Sequence, residues 1–217
     1  MQHESDCGPA CANMFLRFFK KDFDYSELKN KILGVSYGDG KGSMLFDIGK
    51  FLRENGIDVK IDFFEFNYFN ESFNHLKREL KISYIDDLIK QIKIMPESRR
   101  RFILNWQLES LKQAIISGVT VEHKLLSSAE IENVLKSSPI IAPINVLILR
   151  KSRAIDHQKH YGHFLLVKGF DKEYFYFNDP TNLNKENFGE KKIKKEELII
   201  SAVNNQQFPA ILFADDK

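Results

Sequence analysis

The apolar residues of this chain change their spacing partway along. In the first part they recur at three- and four-residue intervals: Ala10, Cys11, Met14, Phe15 and Phe18, then Tyr25, Leu28 and Ile32, then Leu45, Ile48, Phe51 and Leu52. From Ile140 they fall into short blocks, Ile140–Ala142, Val146–Leu149, Phe164–Val167, Tyr174–Phe177 and Ala210–Phe213. The first spacing gives helices with one buried stripe, and the second gives strands. Helices followed by strands define an α+β class, here a helical N-terminal half packed on an antiparallel β-sheet.

Local signals place the remaining elements. Residues 22–33 read as a second helix. Gly38 to Gly42 form a loop, after which Ser43 caps a third helix that Gly56 ends. Val59, Ile61 and Phe63 alternate with Asp58, Lys60 and Asp62, the pattern of a strand with one wet face. Residues 64–118 form a helical elaboration, with helices expected near Glu71–Leu80, Ile85–Ile94 and Phe102–Ile116; the Arg99-Arg100-Arg101 run reads as a solvated helix face. Val119–Val121 suggests a short strand. Ser127 to Glu130 is a capping box opening a helix that runs through Leu135 and is closed by Pro139. Thr181–Lys195 reads as a loop and Glu196–Val203 as a helix. With 217 residues, 43% of them apolar and 19 of them Phe, the chain is expected to form one domain, 1–217, around a proper core.

Composition narrows the function classes. Lys and Arg number 32 against 30 Asp and Glu, with no basic stripe interleaved with aromatics, so no nucleic acid partner is expected. No apolar run reaches the length of a membrane segment, and the N-terminus lacks the apolar core of a secretion signal. Cys7 and Cys11, four residues apart on one helix, do not reach disulfide geometry easily, which suggests a reduced, cytoplasmic protein.

The two cysteines differ in position. Cys11 lies on the buried stripe and reads as a small core hydrophobe. Cys7 lies where the helix begins, with Gly8 admitting a tight backbone entry and Pro9 in the first turn. The free amides and dipole at that end favour negative charge, and so a reactive sulfur. A partner comes from a hairpin between Phe164 and Phe177. If the hairpin turns about Asp171, His163 and Asp179 lie eight residues to either side and face each other at its open end. Pro180 holds Asp179 extended. Taken singly, His163 is an ordinary structural histidine and Asp179-Pro180 an ordinary strand end. Together with Cys7 they supply a nucleophile, a base and an orienting carboxylate, and Gln2 with the Cys7 amide supplies oxyanion donors.

Gln2, the Cys7-Gly8-Pro9-Ala10-Cys11 segment, Gly162-His163-Phe164-Leu165-Leu166-Val167 and Asn178-Asp179-Pro180 together resemble the papain-like double-glycine peptidases that clip bacteriocin leaders. Tyr25–Leu28, Phe46–Leu52, Ser128–Ile131 and His160–Phe164 are similar to a branch of that superfamily named for a guanylyl cyclase domain, over nearly the whole chain. The resemblance implies a papain-like fold, Cys7 as nucleophile, His163 as base, Asp179 as orienter, Gln2 in the oxyanion hole, no cofactor, and a peptide or protein substrate. The reaction would be hydrolysis of a peptide or isopeptide bond, or acyl transfer through the same thioester.

Three other readings are open to test. Guanylyl cyclase chemistry calls for carboxylates holding a metal around phosphates, and no convincing carboxylate pair is seen; the Gly38–Ser43 loop lacks phosphate-loop spacing. Asp156, His157, His160 and His163 cluster within eight residues but do not match a zinc motif, so no metal is assigned. A non-catalytic binding module using 64–118 is the third.

Overall fold

The computed structural model describes residues 6–35, 41–65, 67–149, 162–180, 190–205 and 207–215. Its helices are α1 (Cys7–Phe18), α2 (Tyr25–Ile32), α3 (Leu45–Glu54), α4 (Ser72–His75), α5 (Arg78–Lys93), α6 (Arg99–Ser117), α7 (Ser128–Val134), α8 (Val146–Leu149) and α9 (Lys195–Val203). Its strands are β1 (Gly34–Val35), β2 (Lys41–Gly42), β3 (Val59–Phe63), β4 (Thr120–His123), β5 (Ile140–Asn145), β6 (Gly162–Phe170), β7 (Tyr174–Asn178), β8 (Glu190–Lys194) and β9 (Ala210–Ala214). Among the described residues no helix is long and apolar enough to cross a membrane.

A seven-stranded sheet runs in the order β4-β3-β9-β5-β6-β7-β8, beside a small β1-β2 pair. It is mixed rather than wholly antiparallel, because β3 and β4 pair in parallel. A parallel pair needs a crossover connection, and here α4, α5 and α6 supply it. The helical stretch 64–118 is therefore the link that lets the chain leave β3 and return alongside it.

The sheet separates two clusters of buried side chains. One gathers Cys11, Phe15 and Leu16 of α1, Ile48 and Leu52 of α3, Leu108 and Leu111 of α6, and Phe164 and Leu166 of β6. The other gathers Leu165 and Val167 of β6, Phe175 and Phe177 of β7, and Leu198 of α9. Alternate residues of β6 thus serve opposite cores, which is why Phe164–Val167 reads as an unbroken apolar run. α6 is tied to α3 where the Asp47 carboxylate accepts from Ser110 and Trp106, and to α5 by a 2.6 Å ion pair between Lys112 and Asp86.

Several elements differ from the sequence expectation. The segment 71–80 divides into α4 and the start of α5. Val146–Leu149 is a helical turn instead of a strand, opened where Asn145 Oδ1 accepts from the Leu147 amide. Glu190–Lys194, read as loop, is the edge strand β8. Ser43 does not cap α3: Gln207 Oε1 accepts from the Leu45 amide at 3.2 Å, while Gln207 Nε2 donates to the Ser43 carbonyl at 2.9 Å. The expected wet face of β3 is largely covered, since β3 lies between β4 and β9 and Asp62 is buried. The capping box is present, with Ser127 and Glu130 each bonded to the other's backbone amide.

Candidate active site

Cys7 is the first residue of α1, half-buried at the helix start. The preceding Asp6 sits at the capping position without making the usual side-chain cap. Its buried carboxylate is instead held by Lys29 of α2, which contacts both oxygens at 2.8 Å. No acidic side chain occupies the first turn of α1, so the amide field at that end is not offset from within the helix. Gly8 is required by crowding: a β-carbon there would stand 2.5 Å from Ser43 Oγ. That close approach brings the α3 entrance against the Cys7 turn.

His163 comes from the beginning of β6 and Asp179 follows the end of β7. His163 Nε2 lies 2.9 Å from Asp179 Oδ1, and both side chains are buried. The expected pairing is present, but its geometry differs. Leu166 pairs with Asn178 and Val167 with Phe177, whereas beyond Lys168 the register is Gly169 with Tyr176 and Phe170 with Phe175. Lys168 is thus an extra residue in β6, a β-bulge. Continued without it, the outer register would set Asp179 opposite Leu166, on the face away from His163. With it, Asp179 follows on opposite Leu165, two residues from His163 and on the same face. The two groups meet on the diagonal, within reach of long side chains, instead of directly across the ladder.

The Cys7 thiol lies near enough to the His163 ring to help hold a proton on the imidazole. Nε2 is engaged by Asp179, which leaves Nδ1 as the other ring nitrogen. Burial alone would pull the imidazolium pKa down; the bond to Asp179, the nearby Cys7 thiol and the charges of both groups outweigh it and push it up to about 9. Cys11 behaves differently. Burial first, then the charges of Cys7 and Asp179, pushes its thiol well above the usual value, as suits a core residue. Asn178 Nδ2 lies 3.8 Å from Met14 Sδ, a further tie between β7 and α1.

Of the residues predicted from the sequence, His163 and Asp179 are therefore bonded, and Cys7 lies near the same ring. Gln2 lies outside the described residues, as do Asp156, His157, His160 and the Gly38–Gly40 part of the loop. One residue of the site was not anticipated: Lys191 of β8, whose Nζ bonds Asp179 Oδ2 at 3.0 Å. The alternation of Lys191, Ile193 and Lys195 against Lys192 and Lys194 was the available signal, since Ile193 is buried and its neighbours are not.

A helix start carrying sulfur is thus set near a sheet carrying a paired imidazole and carboxylate. The fold matches that of a crystal structure from Bacillus anthracis described as a "putative C39-like peptidase", at a TM-score of 0.50 and 12% identity over 99% of this chain and 90% of that one. The chain belongs to the Peptidase_C39 like family, whose sequence model matches residues 1–199. The match is to the peptidase family and lends no support to the guanylyl-cyclase branch. No curated protein matches the chain.

Proposed function

We propose that the protein is a cysteine peptidase that hydrolyses a peptide or isopeptide bond with Cys7 as nucleophile. The observation that carries this reading is the buried His163–Asp179 pair, 2.9 Å apart, with the Cys7 thiol near the same ring. The Cys7 sulfur, having given its proton to His163, attacks the scissile carbonyl. The imidazolium then protonates the leaving amine, and the thioester is released when His163 takes a proton from the attacking water. Asp179 fixes the ring so that Nδ1 faces sulfur throughout. The Cys7 backbone amide at the α1 start and the Gln2 side chain are assigned to the developing oxyanion.

The test is a digest of a mixed peptide library read by mass spectrometry. Cys7→Ala and His163→Ala are expected to abolish cleavage. Asp179→Ala and Gln2→Ala should reduce it strongly with the fold kept. Cleavage that persists in Cys7→Ala would end the proposal.

A further inference from the structure

Asp6 places a carboxylate one residue ahead of Cys7, where a negative charge works against a reactive sulfur. Its side chain is only 4% exposed, and it does not turn onto the free amides of α1 as a capping aspartate does. Lys29 Nζ contacts Oδ1 and Oδ2, each at 2.8 Å. The carboxylate is thus held in a charge-assisted grip from a different helix.

That helix is itself well fixed. Asp24 Oδ1 caps α2 by accepting from the Glu27 amide at 2.9 Å, and Leu28 and Ile32 are buried in one cluster with Cys11, Phe15 and Leu16 of α1. Lys29 lies between these two anchors in the last turn of α2, where the helix end favours a cation. Its neighbour Lys31 pairs with Glu27 in the open, both side chains being about half exposed, and such a pair has little consequence. The pair with Asp6 differs because its carboxylate is buried, so removing the lysine would leave that charge beside the sulfur without this cation. The charge would then act in two ways. It would repel a thiolate one residue away, and it would be able to turn onto the first amides of α1 and occupy them.

We propose that Lys29 is a positioning residue for Cys7: by clasping Asp6 it holds a buried carboxylate off the start of α1 and leaves the amides there to the sulfur. Lys29 acts through Asp6 and not on the reacting atoms. As a statement about turnover, this rests on the peptidase reading above; as a statement about the reactivity of the sulfur, it has a readout that needs no substrate.

The experiment follows alkylation of the full chain by iodoacetamide at pH 7, with peptide mapping by mass spectrometry to separate Cys7 from Cys11. Lys29→Met is expected to slow alkylation of Cys7 about tenfold. Lys29→Arg should keep most of the parent rate, and Asp6→Ala added to Lys29→Met should restore it, because the charge and the competing cap are then both gone. A pair that mattered only for packing would gain nothing from this second removal. Should Lys29→Met fail to fold by circular dichroism, Asp6→Ala alone decides: a rate at or above the parent's supports the clasp, and a slower one overturns it. An unchanged rate in Lys29→Met, or a loss that Asp6→Ala does not repair, also overturns it. The same proteins are given the peptide library. Alkylation that follows the expected pattern in a parent protein that cleaves nothing removes the peptidase reading and supports the clasp, whereas cleavage with alkylation indifferent to Lys29→Met removes the clasp alone.

Discussion

Lys191 Nζ bonds the Asp179 carboxylate on Oδ2, the oxygen that His163 does not use. Phe177 pairs with Lys191, so the lysine reaches Asp179 on a diagonal from the β8 side just as His163 does from the β6 side. The carboxylate is held from both edges and cannot swing away from the ring. Lys191→Met should lower kcat about tenfold through lost orientation, with little change in melting temperature because the lysine side chain is 39% exposed. Lys191→Arg should recover most of the rate. Steady-state kinetics on a peptide from the library decide it: an unchanged kcat in Lys191→Met would show that Asp179 is positioned without this contact.

The raised imidazolium pKa sets the pH response. His163 binds its proton more tightly in the folded protein, with a pKa of about 9 against an ordinary 6.5. Its contribution to stability is therefore fully present below pH 6.5 and is lost as the pH rises through 9. The same deprotonation removes the acid needed by the leaving amine. The alkaline limb of kcat/KM is expected near pH 9, and Asp179→Asn should move it to lower pH by withdrawing the charge and the bond that hold the proton. An alkaline limb that stays in place in Asp179→Asn would separate the titration from this pair.

What the sequence discloses and what it hides follow from the range of the forces involved. The Cys7 helix was legible because its periodicity and its Gly8-Pro9 entrance are local. The union of His163 with Asp179 was legible from the hairpin, but its register was not. Phe164, Leu165, Leu166 and Val167 are apolar on both faces, so the usual in-and-out pattern is silent about parity, and the extra residue at Lys168 leaves no mark. β8 was hidden by its lysines, which belong to an edge strand and resemble a solvated loop. Ser43 has every local feature of a cap, yet Gln207, 164 residues away, takes the position. The β-branched and apolar Val146–Leu149 turned helical because the Asn145 side chain starts a turn there.

Ser43 packs tightly against Gly8, which makes a pair of substitutions informative. A β-carbon on Gly8 would stand 2.5 Å from Ser43 Oγ and 2.6 Å from its Cβ, so Gly8→Ala must push the α3 entrance and the Cys7 turn apart. The cost expected is roughly 1–3 kcal/mol, together with loss of activity. Ser43→Gly opens the space that the new methyl group needs. The double variant should regain stability and turnover relative to Gly8→Ala, as read by thermal melts and the peptide assay. Failure of the second substitution to rescue the first would locate the requirement for glycine in the backbone of α1 instead.

Asp62 gives a prediction that leaves the chemistry untouched. It is buried on the interior strand β3, and its Oδ1 makes no hydrogen bond, with Lys60 Nζ 3.6 Å away. Burial, only partly opposed by the charge of Lys60, pushes its pKa up to about 6 from 3.8. The folded state thus holds the Asp62 proton more tightly than the unfolded chain between these values, and stability falls as the pH rises from 3.8 through 6. At neutral pH the protein carries an ionised carboxylate that its surroundings disfavour. Asp62→Asn keeps the shape and removes the charge, so it should raise stability at pH 7 by roughly 2 kcal/mol, less what Lys60 loses. At pH 4 it should change little, because there the carboxyl is already neutral. Denaturant melts of the two proteins at both pH values distinguish the cases. A variant less stable at pH 7 would mean that attraction to Lys60, which also pairs with Glu122 at 2.6 Å, outweighs the burial of the charge.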